Sequence, residues 1–201
     1  MKLYHSHTSP YARKVQVLIT EAGITDIDIV LASGTPVAPD SGVIEQNPLG
    51  KIPALERANG PTLYDSRVIC QFLDAQAGAG FYPDGPRRWD TLTVEATADG
   101  ILDAALLMVY ESRIRPEDKR FLPWVEGQWS KIDRALYALE QRWMDHLTGP
   151  LDMGQIAVGC ALGYLDLRHA ARNWRRDRPR LTQWEAIFAT RPSMQATVPQ
   201  G

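Results

Sequence analysis

A proline placed where a strand is about to begin constrains this chain more than any other residue. Pro53 lies between Ile52 and the apolar pair Ala54 and Leu55. Proline cannot donate a hydrogen bond to a sheet ladder, and it disfavours the α-helical region for the residue before it. It is tolerated at the first residue of a strand, and a cis bond before it fits a tight turn. The backbone N–H and C=O of Ile52 are therefore predicted to be free to pair with another molecule.

The residues after Pro53 predict a short hairpin followed by a helix. Residues 54–57 form the first strand, residues 58–61 the turn and residues 62–64 the second strand. Asp65 and Ser66 then open a helix. Its apolar residues share one face, and they are Val68, Ile69, Phe72 and Leu73. A polar helix start beside a free backbone is suited to an extended, peptide-like anion.

Two motifs in this region resemble the glutathione transferase family. The first is NPLGKIPAL, residues 47–55, which matches the family pattern N-P-x-G-K-[IV]-P-x-L around a cis-proline. The second is LYDS, residues 63–66, which matches L-x-[DE]-S at a helix start. Both motifs occur in the right order and at the right spacing. The resemblance extends over essentially the whole chain, and it implies a bacterial, serine-type member with a thioredoxin-like α/β N-terminal domain and an all-α helical C-terminal domain.

The order of predicted elements agrees with that division. Residues 1–78 read β-α-β, a loop with a short helix, and β-β-α, which predicts the thioredoxin-like, glutathione-binding domain. Residues 79–88 are rich in glycine and proline and predict a linker, and residues 89–201 predict the helical domain. The strands are predicted at 2–4, 27–31, 54–57 and 62–64. The helices are predicted at 10–22, from 66 onward, and at 89–115, 123–147, 152–171 and 181–189, before a loose tail.

Two of these elements, the strand at 27–31 and the helix that begins at residue 152, have further sequence signals. The strand at 27–31 has little polar alternation, which is typical of a strand covered on both faces. Asp152 with Gln155 fits a variant capping box, and Leu151 with Ile156 fits the hydrophobic staple around it. The family carries a similar box here, usually of Ser or Thr with Asp. We interpret this motif as a folding feature, not as a site.

Composition excludes several classes of protein. The 201 residues are 44% hydrophobic and 23% charged, with a net charge of −2. That balance favours neither nucleic acid nor a membrane surface. The N-terminus lacks the apolar run of a signal peptide, and no stretch approaches a transmembrane helix in length. Cys70 and Cys160 fall on apolar helix faces and are predicted to be buried free thiols, so we expect a cytoplasmic protein.

Ser9 is the predicted catalytic residue. With Pro10 it gives a strong helix start, and partial positive charge at a helix N-terminus favours an anion. A glutathione thiolate placed there is stabilised by the backbone N–H groups from Ser9 onward and by the Ser9 hydroxyl. Free thiols have a pKa of about 8.5, and lowering that pKa by one unit favours the thiolate by about 1.4 kcal/mol. The alternatives are that Ser9 only caps its helix, or that Tyr4 activates the thiol.

The resemblance also implies how glutathione, the co-substrate, is held. Ile52, kept open by Pro53, pairs its backbone with the cysteinyl part. Ser66 takes the α-carboxylate of the γ-glutamyl end and Asp65 takes its ammonium group. Lys51 is a candidate for the glycyl carboxylate.

The second substrate is predicted to lie between Ser9 and the long helix after the linker. The candidate pocket residues are His7, Met108, Tyr110 and Glu111, although core packing explains a methionine or a tyrosine equally well. His5 and His7 are interpreted as loop histidines. No His or Cys cluster has metal-ligand spacing, so no metal is expected. The arginine-rich residues 168–180 are interpreted as a solvated helix end, with no nucleic acid as partner.

The implied activity is transfer of an alkyl or aryl group to glutathione, typical of detoxification, by a homodimer that uses the long helix after the linker. No cysteine precedes Cys70, which argues against thiol–disulfide exchange through a protein cysteine. Two alternatives stay open. One is a non-catalytic regulatory or binding protein of the same fold; the other is a glutathione-dependent isomerase or dehalogenase.

Overall fold

Three short strands, nine α-helices and two short 3-10 helices lie within residues 1–199, the part of the chain that the computed structural model describes. The strands are β1 (Lys2–His5), β2 (Asp28–Leu31) and β3 (Ala54–Glu56). The helices are α1 (Pro10–Glu21), α2 (Ser41–Gln46), α3 (Ser66–Ala77), α4 (Arg87–Arg113), α5 (Leu122–Arg142), α6 (Met144–Leu147), α7 (Met153–His169), α8 (Pro179–Phe188) and α9 (Pro192–Ala196). The predicted helical domain extends to residue 201, and its last two residues lie outside the described part.

The strands form one mixed sheet in the order β2-β1-β3. β1 runs parallel to β2 and antiparallel to β3. The Ile52–Pro53 bond is cis, as predicted. The predicted strand at 62–64 is reduced to a single antiparallel bridge between Leu63 and Leu55. A small mixed sheet followed by a mostly helical remainder confirms the predicted fold class.

The prediction that β2 is covered on both faces was wrong. β2 is an edge strand that pairs only with β1, and the side chains of Ile29 and Leu31 are exposed. An apolar run without alternation does not distinguish a central strand from an edge strand, because both lack the regular polar positions of a half-buried strand.

The start of α7 keeps half of the predicted capping box. The Asp152 carboxylate accepts a hydrogen bond from the Gln155 N–H (3.2 Å). The Gln155 side chain does not reach back to Asp152; it donates to three carbonyls of the preceding segment, including that of Pro150 (2.8 Å). The buried Asp152 carboxylate also accepts from the Thr91 hydroxyl (2.9 Å) and pairs with Arg87 (3.2 Å). The cap therefore joins α7 to the beginning of α4.

The predicted loose tail contains helix α9 instead. The Arg13 guanidinium of α1 donates to the Met194 carbonyl (3.1 Å). The Glu21 carboxylate at the end of α1 pairs with Arg191 (2.8 Å) and accepts from the Ser193 hydroxyl (2.5 Å). These polar contacts and the burial of Met194 in the core hold α9, and a helix of five residues is too short to show hydrophobic periodicity in the sequence.

The arginine-rich residues 168–180 are not simply solvated. Five of the six arginines form ion pairs, and the three closest are Arg172–Glu126, Arg175–Asp166 and Arg178–Asp133. Arg178 is also buried and donates to two carbonyls of its own segment. Most of this positive charge is therefore neutralised within the protein, and it fixes the connection between α7 and α8.

The predicted single helix over residues 123–147 is interrupted after Arg142. Trp143 leaves helical geometry, with φ −114° and ψ 1°, and α6 follows as a separate short helix. The carbonyl at the end of α6, that of Leu147, accepts from the indole N–H of Trp184 on α8 (2.7 Å). The change of direction at Trp143 thus brings the end of α6 to α8.

One hydrophobic core runs through both parts of the molecule. It includes Leu3, Leu18 and Ile69 from the α/β part and Leu102 and Ile156 from the helical part. Cys70 and Cys160 are fully buried free thiols, as predicted, and burial raises the pKa of Cys160 to about 11. None of the helices within residues 1–199 is both long and apolar enough to cross a membrane.

The segment between α3 and α4 is bonded to its surroundings. The two oxygens of the buried Asp74 carboxylate accept from the backbone N–H groups of Phe81 (2.8 Å) and Tyr82 (3.0 Å). The Met153 N–H then donates to the Phe81 carbonyl (2.9 Å). α4 begins at Arg87, inside the predicted linker of residues 79–88; the domain boundaries themselves stay predictions.

Candidate active site

The loops that follow β1 and β2 meet at one edge of the sheet. The two strands are parallel, and His5, the last residue of β1, pairs with Leu31, the last residue of β2. The Ala32 N–H donates to the His5 carbonyl (2.8 Å), which extends the pairing past the strand ends. The segment from Ser6 to Ser9 and the segment after Leu31 therefore leave the sheet side by side.

The register of β3 brings the cis-proline segment to the same edge. Tyr4 pairs with Ala54 in the antiparallel ladder, so Ile52 lies beside the residues that follow β1. Leu63 pairs with Leu55, so the chain continuing to Ser66 runs back past Ile52. The structure thus brings together three predicted elements of the site: the start of α1, the backbone before Pro53 and the start of α3.

Ser9 is the N-cap of α1. Its Oγ accepts a hydrogen bond from the Ala12 N–H (3.2 Å), so its own hydroxyl proton stays available for donation. The Ser9 N–H is already used, because it donates to the Ser6 carbonyl (3.1 Å), which corrects the expectation that it faces a ligand. Pro10 has no N–H, so only the Tyr11 N–H of the first turn lacks a hydrogen bond within residues 1–199.

The hydroxyl of Tyr4, the alternative thiol partner, already donates a hydrogen bond within the protein. Its hydroxyl donates to the Glu56 carboxylate (3.0 Å), which also binds the Lys2 ammonium (3.0 Å). Burial and the neighbouring Glu56 charge raise the pKa of Tyr4, so the phenol stays protonated at neutral pH. Ser9 is therefore the better candidate of the two.

The backbone of Ile52 is available, as the proline predicted. Within residues 1–199 neither its N–H nor its C=O forms a hydrogen bond. The turn before it is fixed by Asn47, whose side-chain amide donates to the Lys51 carbonyl (2.7 Å). The Lys51 side chain is exposed at this position. An extended ligand backbone can pair with Ile52 in the manner of an added strand.

At the start of α3, Asp65 and Ser66 differ in whether their side chains already form hydrogen bonds within the protein. Asp65 caps the helix by accepting the Arg67 N–H (3.0 Å), and it pairs with the Arg67 guanidinium (2.9 Å). Burial tends to raise the pKa of Asp65, but Arg67 outweighs it and holds that pKa below its ordinary value. Ser66 is nearly buried, and its hydroxyl has no hydrogen-bond partner in the described part of the chain. The Ser66 hydroxyl and an ionised Asp65 fit the two charges of a γ-glutamyl group.

Behind Asp65 lies a buried charge cluster that was not predicted from the sequence. It consists of Lys14 from α1, Glu95 and Asp99 from α4, and the Tyr82 hydroxyl. The Lys14 ammonium, fully buried, lies 2.6 Å from Asp99 and 3.2 Å from Glu95. Tyr82 donates to Glu95 (3.0 Å), and the Arg67 guanidinium lies 3.7 Å from Asp99. Arg67 thus links the exposed Asp65 to a buried junction between α1 and α4.

A signal for this cluster existed in the sequence. Lys14 directly precedes Val15 and lies one turn before Leu18, on a face of α1 where an apolar residue is expected. A lysine on such a face needs a buried carboxylate partner, because an unpaired buried charge is very costly. The partner itself was not predictable, since Asp99 is 85 residues away along the chain.

The two histidines at the end of β1 have different environments. His5 is the buried last residue of the strand, not a loop residue as predicted. Burial lowers its pKa, and the neighbouring His7 lowers it further, against a smaller opposing effect of the Ser6 backbone. His7 is exposed, and its ring contacts that of His5 edge-on, with the centroids 5.3 Å apart.

A groove of about 640 Å³ lies between the loop after β2 and the C-terminal end of α4. Tyr110 and Glu111, two of the predicted pocket residues, line it. Met108 does not line it; its side chain is buried in the hydrophobic core, because it lies on the other face of α4. His7 is not part of the lining either. Residues 1–199 contain no cluster of His, Cys, Asp or Glu suited to a metal ion.

Comparison with known proteins shows the family of this chain. Residues 3–84 match the model of the glutathione S-transferase N-terminal domain, and residues 123–186 match that of the C-terminal domain. The chain is 36% identical to the uncharacterized GST-like protein YibF of Escherichia coli K12, over 99% of this chain and 98% of YibF. The chain belongs to the glutathione S-transferase family. Its recognition from the two motifs is thereby confirmed.

Solved structures of other glutathione transferase family members superpose on the whole chain. One is a member from Pseudomonas fluorescens Pf-5 with bound glutathione, at a TM-score of 0.97 and 46% identity, covering 100% of this chain and 99% of that one. Another is a glutathione S-transferase from Methylobacillus flagellatus KT with glutathione bound, at a TM-score of 0.88 and 38% identity, covering 99% of both chains. Glutathione binding is thus a property of relatives that share this fold over its full length.

Proposed function

We propose that this protein binds glutathione, activates its thiol as a thiolate and directs it at an electrophilic small molecule. The observation that carries the proposal is the convergence of three groups with free hydrogen-bonding capacity at one sheet edge: the Ser9 hydroxyl proton, the Ile52 backbone and the Ser66 hydroxyl. An extended tripeptide with a thiol at its centre and a carboxylate at each end fits this set. The glutathione-bound relatives support the choice of ligand.

Each group has a separate task in the proposed reaction. Ile52 pairs with the cysteinyl backbone and holds the sulfur near Ser9. Ser66, together with the partial positive charge at the start of α3, binds the γ-glutamyl carboxylate, and Asp65 binds its ammonium group. In this proposal the exposed Lys51 side chain binds the glycyl carboxylate.

At the sulfur, the Ser9 hydroxyl donates a hydrogen bond and the start of α1 favours negative charge. The S–H bond breaks and its proton passes to solvent. The thiolate then attacks the electrophilic carbon, a C–S bond forms, and the leaving group departs with its electron pair. A serine suits this position because its hydroxyl does not ionise at neutral pH and so stays a donor.

Replacement of Ser66 by alanine tests the glutathione site. We expect the affinity for glutathione to fall by about 1–3 kcal/mol, because a charged carboxylate loses its hydrogen-bond partner. Isothermal titration calorimetry with glutathione and S-methyl glutathione measures it, with Ser41→Ala, an exposed serine at the start of α2, as matched control. An unchanged affinity in Ser66→Ala would show that the site is misassigned, and no binding by the native protein would favour a regulatory protein of this fold.

Product analysis separates the proposed transferase from its enzymatic alternative. A transferase consumes one glutathione for each electrophile and releases the conjugate. A glutathione-dependent isomerase leaves the glutathione concentration unchanged, and a reductive dehalogenase releases halide while oxidising glutathione. Detoxification of electrophiles in the cytoplasm, where the free thiols of Cys70 and Cys160 stay reduced, is the physiological setting that we propose.

We also propose that the protein is a homodimer through the exposed faces of α3 and α4. Trp89 is 69% exposed at the start of α4, and Val68 is 46% exposed on α3. The two helices meet there, with the Arg88 guanidinium 3.4 Å from the Gln71 side chain. Burial of exposed apolar side chains such as these two is what an interface between two copies would provide.

Substitution of Trp89 tests the dimer. We expect Trp89→Glu to convert the dimer to a monomer, because the charge would be buried without a partner at the interface. Light scattering coupled to size exclusion gives the mass. Tyr137→Glu, at an exposed aromatic residue on α5, is the matched control and should stay dimeric. A native protein of monomer mass would refute the proposal.

A further inference from the structure

The groove beside α4 opens at the same sheet edge as Ser9. Tyr11, two residues after Ser9, donates its hydroxyl to Asp103 on α4 (2.5 Å). Leu107, Tyr110 and Ile114 follow Asp103 on the same face of α4, at steps of four, three and four residues, and all three line the groove. At 1.5 Å per residue, Leu107 lies only about 6 Å along the helix from the contact with Tyr11.

The opposite wall of the groove comes from the loop after β2. Pro36 and Val37 line it, and they belong to the segment after β2, which leaves the sheet beside the loop that carries Ser9. A molecule in the groove is therefore next to the position where the proposed function puts the thiolate. The inference below rests on that proposed function, since it names the class of the second substrate.

Aromatic and aliphatic side chains dominate the lining. Tyr110 and Trp124 are partly buried, whereas Val37, Leu107 and Phe121 are exposed although they are apolar. Exposed apolar residues gathered around a concavity are typical of a ligand site. Three aromatic rings in one groove favour a planar ring as its occupant, because aromatic pairs gain energy beyond the area that they bury.

The charged side chains that line the groove have a net positive charge. Glu111 is neutralised: it accepts from the Phe121 N–H (2.9 Å) and from Arg115 Nε (2.8 Å). These contacts, that of Phe121 first, hold the pKa of Glu111 below its ordinary value, so its carboxylate is ionised and paired. Within residues 1–199 the two terminal nitrogens of Arg115 and the Lys119 ammonium have no hydrogen-bond partner.

We propose that the second substrate is an aromatic electrophile that carries a carboxylate. The ring lies against Tyr110, Phe121 and Trp124, and the carboxylate meets Arg115 and Lys119 at the rim. With an activated aryl chloride of this class, the thiolate forms a C–S bond at the ring, the C–Cl bond breaks, and chloride leaves with the electron pair. No further reactant is needed.

The test compares two arenes of similar size and shape, one anionic and one neutral. 4-Chloro-3-nitrobenzoate is the probe, and the neutral 4-chloro-3-nitrobenzamide is its matched partner. Binding of each to the full-length protein is measured by calorimetry without glutathione. We expect the benzoate to bind about tenfold more tightly, the effect of roughly one hydrogen-bonded charge. Equal affinities, or no binding of the benzoate, would overturn the proposal.

Variants assign the effect to the groove. Lys119→Gln removes a side chain without a protein partner, so the fold is expected to be unaffected, and the preference for the benzoate should fall several-fold. Arg115→Gln should reduce it further. Arg134→Gln, an exposed arginine twelve residues along α5 from its start, is the control and should keep the full preference. A preference that survives both groove substitutions would refute the assignment.

Glutathione titration and chloride release are measured separately. If the benzoate preference is present but glutathione neither binds nor displaces chloride, the proposed transferase activity fails and the anion-selective groove stands. If chloride is displaced from both arenes with equal affinity and equal rate relative to the uncatalysed reaction, the transferase activity stands and the substrate class fails.

Discussion

Replacing Lys14 by methionine is expected to lower the free energy of unfolding by about 3–5 kcal/mol. The Lys14 ammonium is fully buried and lies 2.6 Å from Asp99 and 3.2 Å from Glu95, both of which are also buried. Methionine fills a similar volume but leaves the two carboxylates without their cation. Burial already raises the pKa of Glu95 and of Asp99 in the native protein, so their charged forms depend on Lys14. Urea unfolding followed by circular dichroism measures the loss.

The loss should depend on pH in a defined direction. Removal of Lys14 raises the pKa of the two buried carboxyls further, so the folded variant prefers them protonated. A group whose pKa is higher in the folded than in the unfolded state adds stability at low pH and loses it as the pH rises. The deficit of Lys14→Met should therefore be smaller at pH 5 than at pH 8.

Lys2→Met is the matched control for Lys14→Met. Lys2 pairs with Glu56 at 3.0 Å, but the two side chains are 50% and 34% exposed and screened by water, so its loss should cost far less stability than the loss of Lys14. Adding Glu95→Gln and Asp99→Asn to Lys14→Met should recover part of the stability, because amides carry no charge to bury. Equal losses for Lys14→Met and Lys2→Met would contradict the assignment of a buried, paired lysine.

Replacing Ser9 by alanine is expected to lower kcat/KM for an activated chloroarene about 10- to 100-fold. A hydrogen bond to a charged group contributes about 1.5–3 kcal/mol, and the proposed bond from the Ser9 hydroxyl forms fully only with the thiolate. The affinity for glutathione should change much less than the rate. Ultraviolet absorbance of the bound thiolate, followed against pH, should show a higher pKa of the glutathione thiol in the variant.

Two controls separate this effect from the loss of the helix cap. Ser9→Ala also removes the acceptor for the Ala12 N–H, which should cost about 1 kcal/mol of stability. Ser9→Thr keeps both the cap and the hydroxyl and should retain most of the activity. Ser66→Ala should weaken glutathione binding without changing the pKa of the bound thiol. An unaltered thiolate titration in Ser9→Ala would show that another group activates the sulfur.

The parts of this structure that were predictable from sequence depend on local chemistry. Pro53 predicted a free backbone at Ile52, and the Ser9–Pro10 pair predicted the start of α1, because proline and helix caps act within a few residues. Asp152 likewise predicted the start of α7, of which it is the N-cap. The same locality explains the wrong expectation for the Ser9 N–H, since the turn to Ser6 that uses it has no sequence signature.

The parts that were not predictable depend on distant partners. The exposure of β2 follows from its place at the sheet edge, and α9 is held by Arg13 and Glu21 of α1. The pairing of Lys14 with Asp99 and the walls of the groove also join segments far apart in the chain. Periodicity reports which face of an element is apolar, but it does not report what that face meets.

The bonded segment between α3 and α4 has a consequence for how molecules reach the groove. The Asp74 carboxylate accepts hydrogen bonds from the N–H groups of Phe81 and Tyr82, and the Phe81 carbonyl accepts one from the Met153 N–H at the start of α7. The segment is therefore fixed to both halves of the protein. Separating the two halves of the protein would break these hydrogen bonds, so we expect the halves to stay together when a compound binds. We therefore expect entry to depend on the mouth of the groove, where the segment with Pro36 and Val37 faces the end of α4. Size exclusion at that mouth would filter compounds before any chemistry begins.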